Sequence, residues 1–93
     1  MSLRISYFSG TDSNTRLCYG VNTGSATVTL GASSADAGAI PDGSSSARLT
    51  AGEDCIISNN GVAASDTNGW FLAAGSIIDI VCPASSQFKA KTA

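Results

Sequence analysis

One stretch of the chain places reactive residue types side by side. Glu53 and Asp54 directly precede Cys55, at the entrance to the β-branched pair Ile56 and Ile57. A catalytic cysteine needs a cation or a helix N-terminus to stabilise its thiolate, and a base to accept its proton. Two adjacent carboxylates would instead raise the pKa of the thiol, and the chain contains no histidine. We therefore interpret the acidic pair as a turn at a strand entrance, with Cys55 facing the core.

The other residues that could support catalysis are few. Ser-His-Asp and Cys-His machinery lacks its general base in a chain without histidine. Ser-Lys chemistry could use Lys89 or Lys91, but both belong to a polar C-terminal segment where the necessary desolvation of the amine is not expected. Asp66-Thr67-Asn68-Gly69 is only superficially similar to the DTG turn of aspartic proteases, because Ser65 replaces the apolar residue before it. The sequence predicts that the protein is not an enzyme.

Oxygen-bearing side chains occur in the turns without the spacing of a metal site. Asp12, Asn14, Asp66 and Asn68 could each offer an oxygen to Ca²⁺, yet they do not follow the spacing of a calcium loop. Turn capping by Asp and Asn side chains explains them. The three cysteines are an odd number at wide spacing, which favours buried free thiols over a disulfide framework or a metal cage. We predict no catalytic, cofactor or metal site.

The composition describes one small, weakly charged domain. Its 93 residues lie near the size at which a single core can just stabilise itself. Charged residues make up 13%, and the net charge of -2 gives no field that would collect phosphates, so nucleic acid is not a predicted partner. No apolar run approaches a membrane span, and the start lacks the pattern of a secretion signal. A thin core and a neutral surface suit packing against other subunits.

Strands must position these residues, because alternation of apolar and polar residues recurs along the chain and no window shows a helical stripe. About seven to eight short antiparallel strands predict an all-β fold, a small sandwich or barrel spanning 1–93 as a single domain. Between the strands, the segment 31–46 contains Ile40 as its only large apolar residue. We predict a long flexible loop or an arm there.

The bulky cluster Trp70-Phe71-Leu72 stands out in a chain with only 6% aromatic residues. In a strand, Trp70 and Leu72 point to one face and Phe71 to the other. If one face of this strand belongs to the core, the side chain on the other face must also be covered. Either a neighbouring subunit covers it, or the domain has core on both sides of the strand. We name Trp70, Phe71, Leu72 and Ile40 as candidate subunit-interface residues.

The C-terminal half resembles a pattern found in small virion proteins of tailed bacteriophages. The similar part is ARLTAGEDCIISNNGVAASDTNGWFLAAGSIIDIVC, from Ala47, with QFKAK after it, so that the resemblance covers roughly 47–91. In that pattern, 54–57 corresponds to the start of the second strand and 71–75 to the turn before the third. The resemblance implies a structural virion protein without enzymatic activity, made in the cytoplasm of a bacterial host.

Within that class, the resemblance favours a capsid decoration or cement protein on the capsid surface. Such a subunit would be a homo-oligomer, with a trimer favoured, and its partner would be the major capsid protein. A neck, tail-adaptor or fibre-base subunit has the same physical requirements. An alternative of another class is a small carbohydrate- or protein-binding β module, with Trp70 and Tyr19 as stacking platforms.

Overall fold

The computed structural model of the protein describes residues 2–11, 18–82 and 87–93. These residues form eight strands and no helix, which confirms the prediction of an all-β domain with short antiparallel strands. The strands are β1 (Ser2–Thr11), β2 (Cys18–Thr29), β3 (Ala35–Asp36), β4 (Ser46–Ala51), β5 (Cys55–Ser58), β6 (Trp70–Leu72), β7 (Ile77–Val81) and β8 (Lys89–Thr92).

The strands form two four-stranded sheets and not a closed barrel. The first sheet has the order β2-β1-β4-β7 and the second the order β3-β8-β5-β6. Along the chain, β5 pairs with β6, β4 with β7 and β3 with β8, so that successive pairs are nested. Because β1 then pairs with β2, the arrangement is that of a jelly roll in which β1 takes the place of the last strand of a standard jelly roll.

A single core lies between the two sheets. Alternation along each strand sends every second side chain inward, as for Leu3, Ile5 and Tyr7 on β1, whereas Arg4 points to solvent. The rings of Tyr7 and Phe88 meet across the core, with their centroids 6.4 Å apart. The buried core side chains are Leu3, Ile5, Tyr7, Val28, Leu30, Ala47, Leu49, Ala51, Cys55, Ile57, Leu72, Phe88 and Ala90.

The segment 31–46 lies against its own domain and does not extend from it as an arm. Its short strand β3 pairs with β8, and the Ala37 amide donates to the Phe88 carbonyl at 2.9 Å. Ile40 is partly buried against the core, and Ser46 already belongs to β4. Composition could not show this placement, because the contacts that hold the segment are mostly made by backbone groups.

The β1–β2 hairpin bends over the outer face of the first sheet. Two register shifts between Tyr7 and Gly10 bend and twist the hairpin. The Ser46 hydroxyl then donates to the Gly10 carbonyl, and the Cys18 amide donates to the Asp79 carboxylate at 3.1 Å. Since β2 and β7 are at opposite edges of this sheet, the bend carries Cys18 across the sheet to β7.

Candidate interaction surface

The acidic stretch before Cys55 has the geometry of a strand entrance. Cys55 is completely buried at the start of β5, and burial, followed by the charges of Glu53 and Asp54, raises the pKa of its thiol. The Asp54 carboxylate accepts a hydrogen bond of 2.8 Å from the Ala74 amide, so it closes the turn that leads to β7. A thiol that is buried and held protonated is a poor nucleophile.

The other two thiols are also free and partly buried. Burial, with a further contribution from Cys18, raises the pKa of the Cys82 thiol to about 11. Burial also raises the pKa of Cys18, although the Ser46 hydroxyl opposes that shift. In the described part of the chain all three thiols are therefore shifted away from the thiolate form that reactivity needs.

The polar residues singled out in the turns act as structural groups. The Asn68 side-chain amide donates to the carbonyls of Val62 and Ala63 at 3.2 and 3.1 Å, and it also bonds the Asn60 side chain. The Ser65 and Asn68 backbones form a bridge that closes the turn between them. Asn68 thus holds the loop before β6 together.

The described residues bring no three His, Cys, Asp or Glu side chains together as a metal cluster. Asp12 and Asn14, two of the oxygen-bearing residues considered for Ca²⁺, lie outside the residues that the structure describes. The two lysines near the C-terminus pair with carboxylates: Lys89 Nζ is 3.2 Å from Asp36 Oδ2, and Lys91 Nζ is 3.9 Å from Asp66 Oδ1. In the same residues, no helix has the length and apolar character needed to cross a membrane.

The structure separates the four residues named as interface candidates. Leu72 is buried, and Trp70 and Ile40 are partly buried against the core. Phe71 points the other way from β6 and is 59% exposed. Its cross-strand neighbour on β5 is Ile56, which pairs on its other side with Lys91. Of the four, Phe71 is therefore the residue available for a contact with another protein.

Further exposed apolar side chains lie on β7, on β2 and in the loop before β6, and of these only Tyr19 was named from the sequence. On β7, Ile77 is 60% and Val81 is 45% exposed. Tyr19 and Val21 are exposed on the bent part of β2, as is Val62 in the loop before β6. The run SIIDIVC at 76–82 is the most apolar strand that the sequence predicts, and its composition alone does not show that it lies at an edge. Asp79 at the centre of that run was the available signal, because a carboxylate suits an edge better than a covered strand.

Beside these residues, Arg48 and Asp79 form a two-pronged ion pair on the outer face of the first sheet. Arg48 Nε and Nη2 donate to Asp79 Oδ1 and Oδ2 at 2.8 and 3.0 Å. The guanidinium also lies 6.0 Å from the centre of the Phe8 ring. The Asp79 side chain is only 9% exposed, and the hydrogen bonds from Arg48 and from the Cys18 amide lower the pKa of its carboxyl. Asp79 thereby joins β7 to β4 and to the bent hairpin.

Replacing Asp79 with asparagine is expected to lower the free energy of unfolding at pH 7 by about 2 kcal/mol, because charge-assisted hydrogen bonds to a largely buried carboxylate are lost. Since the folded-state pKa of Asp79 is lowered, its contribution is present above about pH 4 and disappears as the pH falls further. Urea denaturation at pH 7 and pH 3 measures both effects. Asp66→Asn is the matched control, because the Asp66 side chain is 89% exposed and should change stability little at either pH.

Alkaline pH is expected to destabilise the fold through Tyr7. Its hydroxyl is buried without a hydrogen-bond partner among the described atoms, and burial, followed by Cys82 and Asp36, raises its pKa from 10.0 to about 12. Because the unfolded chain ionises first, roughly 3 kcal/mol of stability should be lost between about pH 10 and pH 12. Tyr7→Phe should reduce that loss in urea denaturation and raise stability at pH 7 by about 1 kcal/mol.

The exposed Tyr19 supplies the control for that comparison, because Tyr19→Phe removes a hydroxyl that is not buried. Its stability at pH 7 should equal that of the wild type. A Tyr7→Phe variant that is less stable than the wild type at pH 7 would mean that the hydroxyl does find a partner in the folded protein.

Comparison of the chain with known protein families, with curated proteins and with solved structures found no match. What can be said of its function therefore comes from the chemistry and placement of its own residues. The relevant residues are three protonated thiols, two lysines paired with carboxylates, and the exposed apolar side chains on β2, β6 and β7.

Proposed function

We propose that this protein is a non-enzymatic structural protein of a bacteriophage virion, namely a capsid decoration or cement subunit that binds the major capsid protein. The observation that carries the proposal is the set of exposed apolar residues on a domain of only 93 residues. Phe71 on the second sheet and Ile77 and Val81 on the first are all on the two edge strands β6 and β7. Exposed large apolar residues on edge strands are candidates for contact with another protein.

The charge distribution supports a contact surface of low polarity. Arg48, Lys89 and Lys91 each lie beside a carboxylate, so three of the five basic residues are neutralised within the domain. In a chain with only 13% charged residues, a contact would bind mainly through burial of apolar area, at about 25 cal/mol per Å². Repeated over many copies on a shell, small contacts of this kind stabilise an assembly.

The fold supports the proposal by analogy only. Jelly rolls occur in viral capsid proteins, but also in lectins, and a fold does not by itself determine a function. The carbohydrate-binding alternative needs Tyr19 and Trp70 as stacking platforms. Tyr19 is exposed on β2 of the first sheet, whereas Trp70 is partly buried on β6 of the second. The two rings belong to different sheets, which disfavours a shared sugar platform.

Co-sedimentation with expanded phage capsids that lack this protein tests the proposal. The wild-type chain should be retained on the shell in a fixed stoichiometry. Phe71→Ser should weaken retention by about tenfold or more, because removal of a central aromatic anchor commonly has an effect of this size. Val62→Ser is the matched control, since Val62 is an equally exposed apolar residue on a loop and should leave retention unchanged.

The other outcomes identify the alternatives. A ring-sized oligomer that stays in the supernatant would favour a neck, tail-adaptor or fibre-base subunit and would contradict the decoration role. A monomer that ignores capsids, and whose Trp70 fluorescence shifts on addition of sugar, would favour the binding module.

A further inference from the structure

The free edge of β7 presents a row of backbone hydrogen-bonding groups. In the described part of the chain β7 pairs on one side only, with β4. The Cys82 amide donates to the Ser45 carbonyl, and the Ala51 amide donates to the Ser76 carbonyl. In an antiparallel pair, bonded positions alternate, so the even-numbered residues of β7 bond to β4. The amides and carbonyls of Ile77, Asp79 and Val81 therefore point away from the sheet.

The side chains of the same three residues lie together on the outer face of the first sheet. Ile77 and Val81 are exposed, while Asp79 between them is held by Arg48 and by the Cys18 amide. The edge thus offers unpaired backbone groups flanked by two exposed aliphatic side chains. An extended strand could add to it, with backbone bonds at the edge and apolar contacts on one face.

β7 has few of the features with which edge strands usually avoid such pairing, and its one charged residue, Asp79, is held by Arg48 on the outer face of the sheet. It contains no lysine or proline, and its register with β4 is regular from end to end. The other edges are different: β3 has two residues, β6 has three, and β2 carries two register shifts. Among the four edge strands of the described residues, β7 is therefore the one that has both five residues and a regular register along its whole length.

The sequence of β7 is nearly palindromic, so the strand best suited to pair with its free edge is β7 of a second copy. Ile77-Ile78-Asp79-Ile80-Val81 reads almost the same in either direction. In an antiparallel pairing centred on Asp79, Ile77 would lie opposite Val81 of a second copy, and Ile78 opposite Ile80. The two Asp79 residues would face each other, but each carboxylate is already neutralised by its own Arg48. A second copy of this chain is thus complementary to the edge in apolar character and backbone pattern, and the Arg48 partners offset the like charges of the two facing carboxylates.

We propose that two copies of the protein pair through their β7 edges around a two-fold axis at Asp79. Backbone hydrogen bonds then join Ile77, Asp79 and Val81 of one copy to Val81, Asp79 and Ile77 of the other. The first sheets of the two copies become one continuous sheet. Such an interface is isologous and closes after two copies, so it gives a dimer instead of the trimer that the virion resemblance favours. The pairing does not depend on the proposed function.

Sedimentation equilibrium of the full chain without capsids tests the pairing. The wild type should have twice the monomer mass of 9.3 kDa. Val81→Pro removes an amide that points to the free edge and makes no bond to β4, and it should give a monomer. Ile77→Lys places a charge on the edge and should also give a monomer, which keeps the test valid if the proline variant does not fold. Thr27→Lys, on the regular part of β2 at the opposite edge of the same sheet, should remain dimeric.

Hydrogen exchange measured by NMR locates the contact. The amides of Ile77, Asp79 and Val81 should exchange at least about tenfold more slowly in the wild type than in Ile77→Lys. The amides of Ile78 and Ile80, which bond to β4, should stay protected in both. A monomeric wild type, a dimer unaffected by Ile77→Lys, or a dimer in which the three edge amides exchange rapidly would each overturn the pairing.

Capsid binding is read separately, so that failure of the two proposals can be distinguished. A dimer that does not bind capsids, and whose β7 edge amides exchange slowly, would overturn the decoration role and support the pairing. A monomeric wild type that is retained on capsids would do the reverse.

Discussion

Replacing Phe88 with alanine is expected to cost about 3–5 kcal/mol of folding free energy, which is the range for removing a fully buried phenylalanine. Phe88 has no exposed surface, and its ring packs against Tyr7 in the centre of the core. A loss of this size rivals the whole stability of a small domain, so most of the variant should be unfolded at room temperature. Urea denaturation followed by circular dichroism measures the loss.

Phe71→Ala is the matched control for that substitution, because it makes the same chemical change on the outer side of β6. With its side chain 59% exposed, Phe71 should contribute less than about 1 kcal/mol to the isolated domain. If Phe88→Ala leaves too little folded protein to measure, Phe88→Leu should give a smaller loss in the same direction. Equal losses for the two alanine variants would contradict the division between core and surface that the structure shows.

Gly69→Ala is expected to be the second large effect, with a loss of about 3 kcal/mol. Gly69 has a φ of 126°, in the region that side chains rarely adopt, and an added Cβ would lie 2.5 Å from the Ile57 carbonyl oxygen on the neighbouring strand. The conformational penalty and the clash add, and the clash is with backbone, which cannot move without disturbing the β5–β6 pairing. Equilibrium urea denaturation gives the difference from the wild type.

Gly43→Ala separates the two contributions. Gly43 has a φ of 83°, but an added Cβ would meet nothing within 4 Å. Its loss should therefore be only the conformational part, about 1 kcal/mol. Similar losses at both positions would show that the close approach of Gly69 to β5 is not a constraint on the folded protein.

The exposed apolar residues connect the two proposals. Phe71 carries the proposed capsid contact on β6, and Ile77 and Val81 carry the proposed self-pairing on β7. β6 and β7 are edge strands of different sheets, and they are consecutive along the chain. Substitutions of Phe71, Ile77 and Val81 can therefore be examined independently, because these exposed side chains are not part of the core that holds the sheets together.

The strands themselves could be predicted from the sequence. Leu3, Ile5 and Tyr7 alternate with polar residues, and a period of two places them on one face of any strand. The same rule predicted that Leu72 and Phe71 point in opposite directions, which the structure confirms. Local backbone geometry determines such patterns, so they can be recognised without knowing which strands are neighbours.

Strand pairing, by contrast, was decided only in the tertiary structure. Arg48 and Asp79 are 31 positions apart, and Cys18 and Asp79 are 61 apart, yet all three meet on one face. Whether the strands formed a sandwich or a barrel, and which apolar run stood at an edge, also depended on pairings of this kind. Contacts between distant segments arise from the simultaneous burial of many side chains, and no single stretch of sequence encodes them.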